Sequence, residues 1–186
     1  ELRVVFALDR CTDNTAHVIE EVRDERAWPV HIDVQDIGHC PDDWAGKTHA
    51  LHRAYQDSPS INDAQLVLFC DADTSFEPDA LRAAVALMED CNVDLLSLLP
   101  TLTNERWFER IVQPAAGLEL VRQFPLDKVN APAARRHFAN GQFMLWRREA
   151  FEAIGGHERV KDELLEDIAL ARALHKPVPG EEKPRA

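Results

Sequence analysis

Short apolar runs alternate along the whole chain with segments of helical period, and this alternation restricts the fold more than any other feature of the sequence. "LRVVFAL", "VHIDVQD", "QLVLFC" and "VDLLSLL" read as strands. Between them "TDNTAHVIEEVRDE", "GKTHALHRAY" and the segment after Pro78, with Leu81, Ala84, Val85 and Met88 at i, i+3, i+4 and i+7, read as helices. Strand and helix in turn predict an α/β layered domain rather than an all-α or all-β one. "QLVLFC" is apolar almost throughout, as a strand buried on both faces would be. Asp13 or Thr12 is the expected N-cap of the first helix.

The second half continues the pattern. Glu105 to Phe124 reads as a helix interrupted by Pro114, with Trp107, Phe108, Ile111, Val112, Leu118, Leu120, Val121 and Phe124 surrounding most of it, so it is expected to be well covered. "FANGQFMLWRREAFEAIGGHE" gives a strand, a short helix and a stop at Gly155-Gly156, and a last helix runs from about Leu164 to Leu174. The expected division is one domain over 1–175 and a proline-rich, charged loop or frayed tail over 176–186.

Composition excludes some functions. A formal net charge of −12, with no basic run beyond Arg135-Arg136 or Arg147-Arg148, argues against a nucleic-acid partner. No apolar stretch approaches the ~20 residues needed to cross a bilayer, which predicts a soluble piece. Cys11, Cys40, Cys70 and Cys91 form no CxxC pair; two of them flank or end apolar runs as small buried thiols do, and a reducing compartment is expected. His49 and His52 lie three apart, and neither they nor His137, His157 and His175 have zinc-site spacing.

Four stretches carry residues suited to chemistry. Asp71-Ala72-Asp73 follows the third strand, where ligands bind in open α/β sheets, and strand geometry would turn both carboxylates to one side. Hard oxygen ligands of this kind suit Mg²⁺ or Mn²⁺ bridging a diphosphate, whereas the plain alternative is a polar turn. Asp9 ends the first strand, placed to bond a ribose or a base edge, while Thr12 and Asp13 read as caps. In "DDWAGKTHAL", Gly46 permits close backbone approach and Lys47 is a point charge near a helix start, both useful beside phosphate, though the P-loop spacing is absent. Glu166 and Asp167 open the last helix, either as acids complementing its dipole or as a candidate general base. Trp146, Arg147 and Arg148 read as packing and helix-start residues.

Taken in order, "LDRCTDNTA", "WAGKTHAL", "FCDADTSFEPDAL" and "NGQFMLWRREAFEAIGGHERVKDELLEDIALARAL" resemble the family 2 glycosyltransferases, inverting enzymes of GT-A type. Within them the chain looks most like enzymes that glycosylate membrane lipids, of the hopanoid-associated and carotenoid type, with ceramide glucosyltransferases more distant. The resemblance implies a GT-A, Rossmann-like mixed sheet with helices on both faces, lacking the family's usual first strand, so that the chain corresponds to the middle of a catalytic domain. It implies a nucleotide-sugar donor, uridine being the common base, and a hydroxyl acceptor of lipid type. Asp9 would bind the nucleoside, Lys47 would lie near base or phosphates, Asp71 would hold the ribose side, and Asp73 would ligate the metal. Asp167 would be the base, with Glu166 beside it, and Gly141 and Gln142, with His157 behind them, would shape the sugar and acceptor pocket. A cytoplasmic location at the membrane face, with the helix 105–124 toward the membrane or acceptor, follows from the same resemblance. Two other readings compete: a nucleotide-sugar-binding domain without catalysis, and a phosphatase of haloacid dehalogenase type with Asp71 as nucleophile, for which Ser75 is the wrong residue.

Overall fold

The computed structural model describes residues 1–25, 30–101, 105–130 and 137–175. The expected tail over 176–186 lies outside them, as do Arg135 and Arg136. Elements follow in the order β1 (Arg3–Asp9), α1 (Thr15–Glu25), β2 (His31–Ile37), α2 (Gly46–Asp57), β3 (Leu66–Phe69), α3 (Ala80–Cys91), β4 (Leu95–Ser97), α4 (Glu109–Gln123), α5 (Leu126–Val129), β5 (Met144–Arg147), α6 (Arg148–Ala153) and α7 (Glu166–His175). The α/β class is as the alternation predicts. The described strands, however, form two ladders rather than one sheet: β1 with β2, and β3-β5-β4. Contacts likewise gather into two compact units, Glu1–Val67 with Gly155–Glu166, and Leu68–Ile154 with the segment from Asp167.

In the first unit β1 and β2 run parallel, in register from Arg3 opposite His31 to Asp9 opposite Ile37, as strands joined by a crossover helix must. Leu8 and Ile37 are buried near the carboxyl ends of this pair, and Ala50 and Ala54 of α2 are buried in the same unit. α1 starts at Thr15, later than the sequence suggests, because Asp13 spends its carboxylate on an Asx turn: the Thr15 amide (3.1 Å) and hydroxyl (2.6 Å) both donate to its Oδ1.

The second unit holds most of the large, fully buried side chains. Met88, Trp146, Phe151 and Leu170 are fully or almost fully buried, and Trp146 and Phe151 meet edge to face at 5.5 Å. Burying side chains such as Phe151 and Leu170 contributes about 2–3 kcal/mol each, so this cluster is the stability centre of the unit. Ala84 and Met88 of α3 are buried as their spacing predicts. Trp146 is core, and Arg147 ties β5 to α3 through Glu89 (3.0 Å) and to the Val93 carbonyl (3.3 Å), which bears out the packing reading of both. After α6, Gly155 (φ 86°) and Gly156 (φ 54°) take left-handed conformations that a residue with a Cβ pays to adopt, so the predicted stop is where the chain turns.

Three expectations fail. β3 is not buried on both faces: only Val67 is, and the remaining residues are half-buried. The cysteines are free, and Cys11, Cys70 and Cys91 are exposed with Cys40 half-buried, because they sit at strand ends, in a loop and on the last turn of α3 rather than in the core. α4 has no buried residue at all; Trp107 just before it is 76% exposed, and Ile111 (65%) and Leu118 (72%) are almost as open. Its apolar residues point all round, so no single face exists for a core to cover. Among the described residues no helix is long and apolar enough to cross a membrane.

Candidate active site

In the first unit, β1 delivers Asp9 to its carboxyl end, as predicted, and the next residue claims it. Arg10 lies on the left-handed side of backbone space, φ 51°, a conformation that costs a non-glycine residue about 1–2 kcal/mol. Its amide donates to the Ile37 carbonyl (2.9 Å), and its guanidinium forks onto Asp9, Nε to Oδ1 and Nη2 to Oδ2, both at 2.8 Å. That bond holds the Asp9 carboxyl below the usual carboxylate range and raises Arg10 in turn.

Gly46, the first residue of α2, faces this pair. A Cβ there would lie 2.9 Å from Arg10 Nη2 and 3.2 Å from Asp9 Oδ2, so the glycine makes room for the ion pair. Lys47 follows, and its Nζ pairs with the Glu166 carboxylate at 2.9 Å, the lysine half-exposed and the glutamate nearly buried. Glu166 therefore has a specific cation 119 positions away in the chain, which is more than a helix-dipole role. His157 is 2% exposed, so it is a core residue of this unit; burial, with His52 and Lys47 nearby, pushes its pKa down to about 3. His49 is buried beside Trp44, whose ring also packs on His52 at 4.7 Å, and burial lowers both histidines.

The second unit holds Asp71, Asp73, Gly141, Gln142 and Asp167. β3 ends at Phe69, and Asp71 opens a turn closed by Thr74, whose hydroxyl (2.7 Å) and amide (3.3 Å) donate to the Asp71 carbonyl. Strand parity thus does not orient the two carboxylates; the turn does. Asp71 is half-buried and Asp73 exposed. Phe76, farther along the same loop, packs edge-on against Phe143 at 5.8 Å, which ties the loop to the residue next to Gln142.

The turn Asn140-Gly141-Gln142 is fixed from both sides. The Asn140 amide donates to Ser97 Oγ (2.7 Å), and the Gln142 amide donates to Asn140 Oδ1 (2.9 Å). Held so, the Gly141 amide donates to Asp167 Oδ2 at 2.9 Å, while the Ile168 amide donates to Oδ1 at 2.7 Å. Each oxygen of Asp167 accepts one backbone bond, which sets the carboxylate's orientation and leaves lone pairs on both oxygens. Ser97 and Asn140 were not anticipated as site residues; the Asn-Gly dipeptide is a turn signal that points to the second of them.

Among the described residues no three or more His, Cys, Asp or Glu side chains converge as a metal cage. Asp71 and Asp73, the pair the sequence suggests for a metal, are two carboxylates close together in the chain after β3. Mg²⁺ binds in this way, through one or two carboxylates, retained waters and substrate phosphates.

An α/β chain with acids at strand ends and a glycine turn holding a further acid has the makings of a nucleotide-dependent transferase. Comparison with protein families makes the assignment specific: residues 1–177 match glycosyl transferase family 21, and the chain belongs to that family. Comparison with curated proteins and with solved structures gives no match. The match bears out a glycosyltransferase, in family 21 where the motifs resemble family 2, and the family implies a nucleotide-sugar donor and an acceptor.

Proposed function

We propose that this domain transfers a sugar from a uridine diphosphate sugar to the hydroxyl of a lipid, with inversion at the anomeric carbon. The observation that carries the reading is the bond from the Gly141 amide to Asp167 Oδ2, which joins the acid expected to act as base to the turn expected to shape the sugar and acceptor pocket. In this reading Asp167 takes the proton of the acceptor hydroxyl through a lone pair its backbone bonds leave available, as that oxygen attacks the anomeric carbon and the nucleoside diphosphate leaves. A single displacement of this kind inverts configuration. Asp9 and Lys47 contribute to the donor's nucleoside and phosphate side, Asp71 to the ribose, and Gly141 and Gln142 to the sugar. His157 acts from within the core, by packing.

Asp71 and Asp73 would hold Mg²⁺ or Mn²⁺. Asp73 fits the role, being exposed and without a hydrogen bond or ion pair among the described residues. When bound, the ion would offset the charge of the leaving diphosphate. The exposed apolar residues of α4 support a lipid acceptor met at a membrane surface; that this is the cytoplasmic face belongs to the resemblance alone.

Asp167→Asn tests the assignment. The amide side chain keeps the size of the carboxylate and an oxygen for one backbone bond but cannot take a proton. Transfer turnover is expected to fall at least about 100-fold, the usual contribution of a general base, while UDP affinity stays within about twofold. Unchanged turnover would remove Asp167 as the base, and a domain with UDP binding but no turnover in either form would be a binding module.

A further inference from the structure

Arg10 takes no part in the assignments above, yet it is the residue most deliberately held at the end of β1. Its left-handed backbone (φ 51°), its amide bond to Ile37 and the room left by Gly46 combine to lay its guanidinium along the Asp9 carboxylate. The pair is accessible: the Arg10 side chain is 53% exposed and that of Asp9 25%. A structural ion pair needs none of this strain, since a surface pair between neighbours contributes little to stability. Strained backbone that orients an accessible polar group is more often a feature of ligand sites.

The chemistry of the pair suggests the ligand edge it fits. A carboxylate has about four lone-pair positions, of which Arg10 takes one on each oxygen, and a guanidinium has five N–H donors, of which Asp9 takes two. What remains is an acceptor beside donors, in fixed register. The imide edge of uracil presents the complement, an N–H donor flanked by carbonyl acceptors. Cytosine presents instead a ring-nitrogen acceptor beside an amino donor, which sets its lone pair against the carboxylate. We propose that Arg10 is a specificity-determining residue for the donor base, acting with Asp9 to accept uracil and reject cytosine. This rests on the reading that Asp9 meets the nucleoside.

Gly46 supplies a second, gentler perturbation. A methyl group there would meet the far end of the flexible Arg10 side chain rather than backbone, so Gly46→Ala displaces the guanidinium while suiting the helix it opens.

The test is calorimetric titration of UDP and CDP, with Mn²⁺ present, into the unaltered chain, Arg10→Ala, Gly46→Ala and Asp9→Asn, each with its thermal midpoint recorded. The unaltered chain is expected to prefer UDP by at least about tenfold, the worth of one charge-assisted hydrogen bond. Arg10→Ala should bring the ratio to within about threefold of unity, and Gly46→Ala should lower it in the same sense with an unchanged midpoint. A ratio preserved in both Arg10→Ala and Gly46→Ala overturns the proposal, and if Asp9→Asn has meanwhile lost UDP binding, the assignment of Asp9 stands without it. UDP binding that Asp9→Asn leaves intact overturns both.

Discussion

His157 shows at the scale of one residue how burial becomes a pH dependence. Its folded pKa of about 3 lies below the ordinary 6.5, so between those values the unfolded chain binds a proton that the folded chain does not. The stability that goes with a neutral His157 is therefore fully present above about pH 6.5 and is lost as pH falls toward 3, amounting to about 2 kcal/mol by pH 5. His49 and His52, lowered by the same cause, act in the same direction. Urea unfolding at pH 7.5 and pH 5 should register at least this loss, and His157→Gln should remove the His157 share of it; a loss unchanged in the variant would mean that this imidazole is already charged in the folded protein. At this scale the sequence is informative where a partner is local. Asp9 at a strand end and the Asn-Gly turn are visible in it, whereas the pairing of Lys47 with Glu166 depends on contact across 119 positions, and the fork of Arg10 onto Asp9 depends on a φ angle that no periodicity encodes.

α4 makes the corresponding point for elements. Its helical character and its apolar content follow from the pattern of residues, but the expected interruption does not occur: the helix runs unbroken from Glu109 to Gln123 with Pro114 inside it. That it should be covered does not follow, because a helix without a polar face gives no indication of what meets it. Its charges are partly satisfied among themselves, Arg122 forking onto Glu119 at 2.7 Å twice, which leaves Trp107, Ile111, Val112 and Leu118 as the exposed apolar surface. If this surface meets lipid, the protein should float with phosphatidylcholine vesicles and Trp107 emission should shift to the blue. The double change Ile111→Asp, Leu118→Asp should reduce bound protein about tenfold or more, since it removes two large apolar contacts and adds two charges. Retention of the protein at the bottom of the gradient, with unshifted emission, would exclude the lipid role. The other elements are legible for the opposite reason: α3 and α7 have one buried stripe each, and Ala84, Met88, Leu170 and Leu174 are buried on it.

Across the whole molecule, the order of motifs carries more than any one of them. A paired-acid turn, a lone Gly-Lys and a Glu-Asp helix start each have an ordinary structural explanation, and the structure supplies it in part: Gly46 serves the Asp9–Arg10 pair, and Lys47 serves Glu166. What assigns the chain to glycosyl transferase family 21 is a match along residues 1–177 as a whole. A chain with net charge −12 repels a diphosphate over long range, so a donor site on it needs local cation, from Lys47, Arg10 or a divalent ion. The measurement that tests this most directly is calorimetric binding of UDP with and without Mn²⁺, to this chain and to Asp73→Ala. The account predicts binding that strengthens at least about tenfold with the metal and a metal increment that disappears in the variant. UDP affinity indifferent to Mn²⁺, or a metal increment that survives Asp73→Ala, would contradict it.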